Sequence, residues 1–208
     1  MSVAPARLAC MTKIDSRDAL VSAVAAGARV KYLHFWGHRP LPDGRIGASC
    51  LSQWWPSPFV VDGVTYETAE HWMMAGKARL FGDAEAERRV LAAGHPSVAK
   101  KEGRLVRGFD EEMWQRERFG IVVEGSVHKF ASDARLREFL LSTGERVLVE
   151  ASPVDRVWGI GLAATDEAAS DPARWRGPNL LGFALMEARG RLRAGADDGA
   201  GGGAGQPD

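Results

Sequence analysis

From Thr65 to Arg193 the chain is punctuated like a run of helices: Thr, Ser, Asp or Asn opens each apolar-periodic segment, and glycine closes several of them. This punctuation constrains the fold more than any other feature. A side-chain oxygen at a helix start accepts a free backbone N–H, and glycine takes the left-handed turn that ends a helix. The pattern predicts helices from Thr65 or Thr68 to Phe81, Asp83 to Ala93, Ser97 to Val106, Glu111 to about Phe130 behind Asp110, and Asp133 to Leu141. Asn179 can cap a last helix to Arg193, and Asp15 or Ser16 an early one through Ala25. Strands are fewer and shorter. Arg29–Trp36 alternates, "FVVDGVTY" reads as a hairpin around Asp62-Gly63, and Arg146–Glu150 is a short apolar run. About six helices stand against three or four strands, without regular βαβ alternation. A doubly wound parallel sheet is excluded, and the chain reads as a mainly α domain with a small β element, an α+β fold.

A chain of 208 residues with 45% hydrophobic residues suits one packed domain. Lys and Arg together number 27, as do Asp and Glu, so the composition carries no basic nucleic-acid footprint. Cys10 and Cys50 form neither a disulfide framework nor a metal pair. No apolar run approaches the ~20 residues that span a bilayer. The start, "MSVAPARLACMTKID", lacks a continuous apolar signal core, which predicts a soluble cytoplasmic protein. The end, "AGADDGAGGGAGQPD", cannot bury apolar surface and reads as disordered. These readings divide the chain into an N-terminal extension (1–28), the domain (29–193) and a Gly-rich tail (194–208).

Two stretches could carry chemistry. "EASPVDRVWGIG" places Glu150 at the end of a buried strand, Asp155 five residues later, and Trp158 among glycines. Loops at strand ends are held by a rigid scaffold, and an indole beside open backbone suits stacking on a flat ring. Equally, Asp155 can simply cap its own loop. In "TAEHWMMAGKARLF", Ala69, Trp72, Met73, Gly76 and Leu80 form an apolar helix face, with Glu70 and Lys77 seven apart along its edge. An ordinary solvated flank gives the same pattern. Asn179 fits an N-cap, an anion site at a helix start, or both. His34, His38, His71, His95 and His128 show no HExxH or CxxC context, and there is no Walker loop, GxGxxG or GxSxG elbow. No metal is expected. Carboxylates, Lys/Arg and aromatics remain as the chemical tools.

Taken together, "YETAEHWMMAGKA", "GHPSVAKKEGRLV", Trp114, Lys129-Phe130, "LLSTGERVLVEASPVDRVWGIG" and "GPNLLGFALMEAR" resemble, in order, the YbiA-like or NADAR family. The resemblance runs from about Phe35 to Arg193. It implies a mainly α fold with a few short strands and N-glycosidase activity on ribosides, without a cofactor. One branch of that family hydrolyses phosphoribosylated pyrimidine intermediates of riboflavin biosynthesis, of the phosphoribosylaminouracil type, releasing ribose 5-phosphate. Another removes ADP-ribose from modified guanine, and only there would nucleic acid be a partner. A non-catalytic module binding ADP-ribose or a nucleotide is a third reading, against which both family acids are present. Matched to the family's motifs, the catalytic acids fall on Glu70 and Asp155, and the aromatics on Trp114 and Trp158. Lys77, Glu150 and Asn179 join them as substrate-binding candidates. Either acid can serve as base. The chain departs from the family at "CLSQWW", where Gln53 and Trp54 replace the usual Asn and Phe, and in a longer loop from Ala163 to Arg176.

Overall fold

Capping chemistry sets most element boundaries. In the computed structural model, which describes residues 13–200 and their side chains to residue 195, Ser16 Oγ accepts the Ala19 N–H and opens α1 (Arg17–Ala25). Thr68 opens α2 (Ala69–Leu80), Asp83 α3 (Ala84–Leu91), Asp110 α5 (Glu111–Ser132) and Asp133 α6 (Ala134–Ser142), each through its side-chain oxygen. Helix α4 (Pro96–Gly103) departs from the sequence reading. It starts at Pro96, capped by His95 Nδ1, because proline lacks the N–H that a first turn leaves free. It ends at Gly103 rather than Val106.

Strands β2 (Phe59–Val61) and β3 (Val64–Tyr66) form the expected hairpin, with Asp62 and Gly63 both at positive φ. Strand β1 (Tyr32–Phe35) pairs in parallel with β4 (Val147–Glu150), Tyr32 opposite Val147 and Phe35 opposite Glu150. β1 is shorter than the predicted Arg29–Trp36 because β4 offers only four residues to pair with. Three short 3-10 turns, Ala48–Leu51, Glu167–Ser170 and Pro172–Arg174, complete the described elements.

Helix α5 runs through the middle and packs against α2, α6 and α7 (Leu180–Ala200). β4 is buried on both faces. Leu148 faces the main core with Phe35, Met73, Phe130 and Leu185, while Val147 and Val149 face a second core with Leu20, Ile160, Trp175 and Phe183. Each such aliphatic side chain contributes roughly 1.5–3 kcal/mol on burial. Leu20, fully buried, brings α1 into that second core, and Arg17 donates hydrogen bonds to the carbonyls of Pro172 and Ala173 at 2.9 Å each.

The last helix starts where the sequence reading puts it, directly after Asn179, but that residue has φ +59° and sends its side chain elsewhere, so its amide does not cap the helix. At its other end α7 passes Arg193 and reaches Ala200, since an established helix extends at one hydrogen bond per residue fixed. The rest of the Gly-rich tail, and Cys10, lie outside the described residues. Among the described residues no helix is long and apolar enough to cross a membrane.

Candidate active site

Three carboxylates reach one site from three elements. Glu70 occupies the first turn of α2, where its N–H donates to the Gln53 carbonyl at 3.0 Å. Its side chain is 2% exposed, and Oε1 is buried without a hydrogen-bond partner. Burial pushes its pKa up to about 7, and Asp155 adds to that rise, whereas Lys100, the Trp54 side chain and Arg104 oppose it.

Glu150 is the last residue of β4. Asn179 Oδ1 accepts its N–H at 2.9 Å, and its carbonyl accepts the Ile160 N–H at 2.9 Å. With the backbone pinned on both sides, Oε2 is buried with no partner. Burial raises its pKa to about 8; Asp155 and Glu70 reinforce the rise and Lys100 opposes it.

Asp155 does what the plainer reading of its loop requires. Oδ1 accepts the N–H groups of Val157 at 2.8 Å and Trp158 at 2.7 Å, with Gly159 at a weak 3.5 Å. All of these bonds fall on Oδ1, which leaves Oδ2 uncommitted to the loop. Capping and chemistry are therefore compatible in one residue. The loop then returns tightly on the strand: a Cβ on Gly159 would sit 2.8 Å from the Glu150 carbonyl.

Lys100 and Arg104 are the cations that act on Glu70, Lys100 acts on Glu150 too, and Lys77 neighbours Arg104 and Glu111. Lys77, half-buried, places Nζ 4.0 Å from the Phe109 ring centre and 5.5 Å from that of Trp114, and burial lowers its pKa. Lys100 lies 5.9 Å from the Trp54 ring, and the Arg118 guanidinium the same distance from Trp158. Lys77, Lys100 and Arg104 form no ion pair among the described residues.

The expected site residues thus separate. Glu70, Glu150 and Asp155 come together, with Trp158 on the same loop. Trp114 is a core residue, 9% exposed, beneath Lys77. Asn179 has no exposed surface, and its amide is committed to β4: Nδ2 donates to the Leu148 carbonyl at 2.9 Å and Oδ1 accepts from Glu150. It has no free group for a ligand and acts by holding Glu150 in place.

Sequence reasoning missed three contributors. Lys100 and Trp54 stand by Glu70, and only the departure of "CLSQWW" from the family pattern pointed to Trp54. Lys129, fully buried, donates to the carbonyls of Cys50 at 2.6 Å and Ser52 at 2.7 Å, tying α5 to the segment that carries Gln53 and Trp54. Burial lowers its pKa to about 7.

Two clefts elsewhere, of about 380 and 1480 Å³, lie along α5 and α7 and are lined by none of the three acids. Buried titratable groups with perturbed pKa values are the better guide, since deep burial without a partner is costly unless a ligand or reaction uses it.

Comparison with known proteins identifies the family. Residues 34–193 match the NADAR domain. A protein named N-glycosidase from Acanthamoeba polyphaga mimivirus is 38% identical over 76% of this chain and 95% of its own length. N-glycosidase YbiA of Escherichia coli is 31% identical over 65% of this chain and 76% of its own. The NMR structure of the E. coli protein YbiA has a TM-score of 0.65 at 25% identity, over 82% of this chain and 90% of that one. The chain belongs to the NADAR family, in its YbiA-like form.

Proposed function

We propose that this protein hydrolyses the C–N glycosidic bond of a phosphoribosylated pyrimidine of the riboflavin-intermediate type, releasing ribose 5-phosphate. Relatives named N-glycosidase support the reaction type. One observation carries the reading: two buried carboxyl oxygens without partners, on Glu70 and Glu150, beside cations that have no ion pairs of their own.

Breaking this bond builds positive charge on the sugar ring and needs a base for water. Glu70, with a pKa near the operating pH, takes a proton from the attacking water. The Asp155 carboxylate, held by loop amides, faces the cationic sugar. Trp158 and Trp54 offer ring faces to the departing base. Lys100, Arg104 and Lys77 supply positive charge for the phosphate, each lysine as a point charge. Asn179, Trp114 and Lys129 hold these groups in place.

The test is release of ribose 5-phosphate from phosphoribosylaminouracil by the purified full chain. Release that is lost in Glu70→Gln supports the reading. No release above buffer, with cleavage of ADP-ribosylated guanine in an oligonucleotide instead, would move the enzyme to the other branch.

A further inference from the structure

We infer that Glu150 is the proton donor of this reaction, delivering its carboxyl proton to the departing nitrogen. The inference rests on the N-glycosidase reading above and assigns a third acid to it.

The first argument is geometric. The backbone of Glu150 is fixed by Asn179 on one side and Ile160 on the other, so the side chain leaves β4 in one direction. It ends in a buried oxygen with no donor within reach. At that oxygen a carboxylate lacks both water and hydrogen bonds, whereas a neutral carboxyl carries a proton to give.

The second argument is the charge around it. Asp155 from the following loop and Glu70 from α2 face Glu150 as like charges, and Lys100 from α4 is the opposing cation. Asn179, just before α7, contributes only an uncharged amide, and β1 pairs through the apolar Phe35. Neighbouring acids that cannot all ionise divide into proton donor and proton acceptor. Glu150 faces two acids against the single cation Lys100, whereas Glu70 has Lys100, Arg104 and the Trp54 side chain to favour its charged form, so Glu150 is the member that keeps its proton.

The step balances. The C1′–N bond breaks with its electron pair going to nitrogen, which takes the Glu150 proton. Water oxygen bonds to C1′ and gives one proton to Glu70. The products are the free sugar phosphate and the amine, and proton return from Glu70 and solvent restores Glu150.

The test compares two leaving groups. Phosphoribosylaminouracil needs a proton on its departing nitrogen, whereas a cationic pyridinium riboside 5′-phosphate departs neutral without one. Glu150→Gln should lower kcat on the first by ~10²–10⁴-fold and on the second by under about tenfold. The alkaline limb of its residual pH profile should vanish, and the infrared band of neutral carboxyls at pH 7 should lose intensity in the variant, leaving the Glu70 component. Glu70→Gln should lose activity on both substrates. Equal loss on both substrates in Glu150→Gln, or an alkaline limb that persists, removes the donor and leaves the glycosidase reading standing. A wild type inert toward both substrates removes that reading, and the donor with it.

Discussion

Glu70 and Asp155 solve opposite problems with the same functional group. Asp155 is held in place by loop amides, and the proposed mechanism sets it against the sugar cation. Glu70 has lost its water, and the resulting pKa near 7 suits a base. We expect Glu70→Gln and Asp155→Asn each to keep the circular dichroism of the parent and to lose ~10²–10⁴-fold in kcat. The double variant should be little worse than the poorer single one, because both groups serve one transition state. Near-normal kcat in either folded variant removes that residue from the mechanism. Burial of Glu70 also has a thermodynamic consequence. An unfolded Glu ionises near 4.5, and the folded one near 7. Between those values the unfolded chain binds fewer protons, so this group lowers stability as pH rises through the window. Glu70→Gln lacks that loss. Its melting temperature should exceed the parent's by several degrees at pH 8, with the gap closing towards pH 4.5. A gap that is absent at pH 8 shows that Glu70 is not desolvated as described.

The junction of β4 with the start of α7 decides where Glu150 points, and glycine makes that junction possible. A Cβ on Gly182 would lie 2.0 Å from the Leu148 carbonyl and 2.4 Å from Asn179 Nδ2, so the helix and strand touch only where no side chain intervenes. Gly182→Ala should cost ~1–3 kcal/mol as a forced overpacking and should lower kcat as well, because Asn179 and Glu150 move together. Unchanged melting and turnover would remove the junction from the positioning machinery. Legibility follows the same division between local and distant causes. Caps, glycine stops and the Asp62-Gly63 turn are written within a few residues of where they act, so five of the helix caps and the hairpin could be read from sequence. Asn179 could not, because its left-handed backbone and its bonds to a strand some thirty residues earlier have no local signature. The length of β1 depends on its partner, and Lys129 looks like any helical lysine until the 50–52 backbone is folded over it. The acids were legible as spacings, but spacing alone left them balanced between surface charge and site. Burial from elements far apart in sequence is what distinguishes them.

At the scale of the whole molecule, net charge zero hides a local order: like-charged acids gather at the end of β4, with Lys100 and Arg104 facing them. The chemistry proposed for that cluster calls for no metal, and among the described residues no group of three or more His, Cys, Asp or Glu side chains could hold one. Turnover should therefore survive EDTA, and activity that chelation abolishes and a divalent ion restores would overturn the mechanism. The same cluster depends on the far side of the fold. β4 is supported from behind by the second core, and part of that core is Leu20 on α1, outside residues 34–193 that match the family domain. Helix α1 is also tied down by Arg17 on the Pro172–Ala173 backbone. Removing residues 1–28 exposes Val147, Val149 and Trp175 where Leu20 had covered them. The loss of one fully buried leucine alone costs ~2–5 kcal/mol, enough in a chain this size to lower the melting temperature by several degrees. Because β4 carries Glu150, kcat should fall with it. Deleting 201–208, which lies beyond α7, provides the control and should change neither quantity. A 1–28 deletion that melts and turns over like the parent would show that α1 rests on the domain without supporting its site.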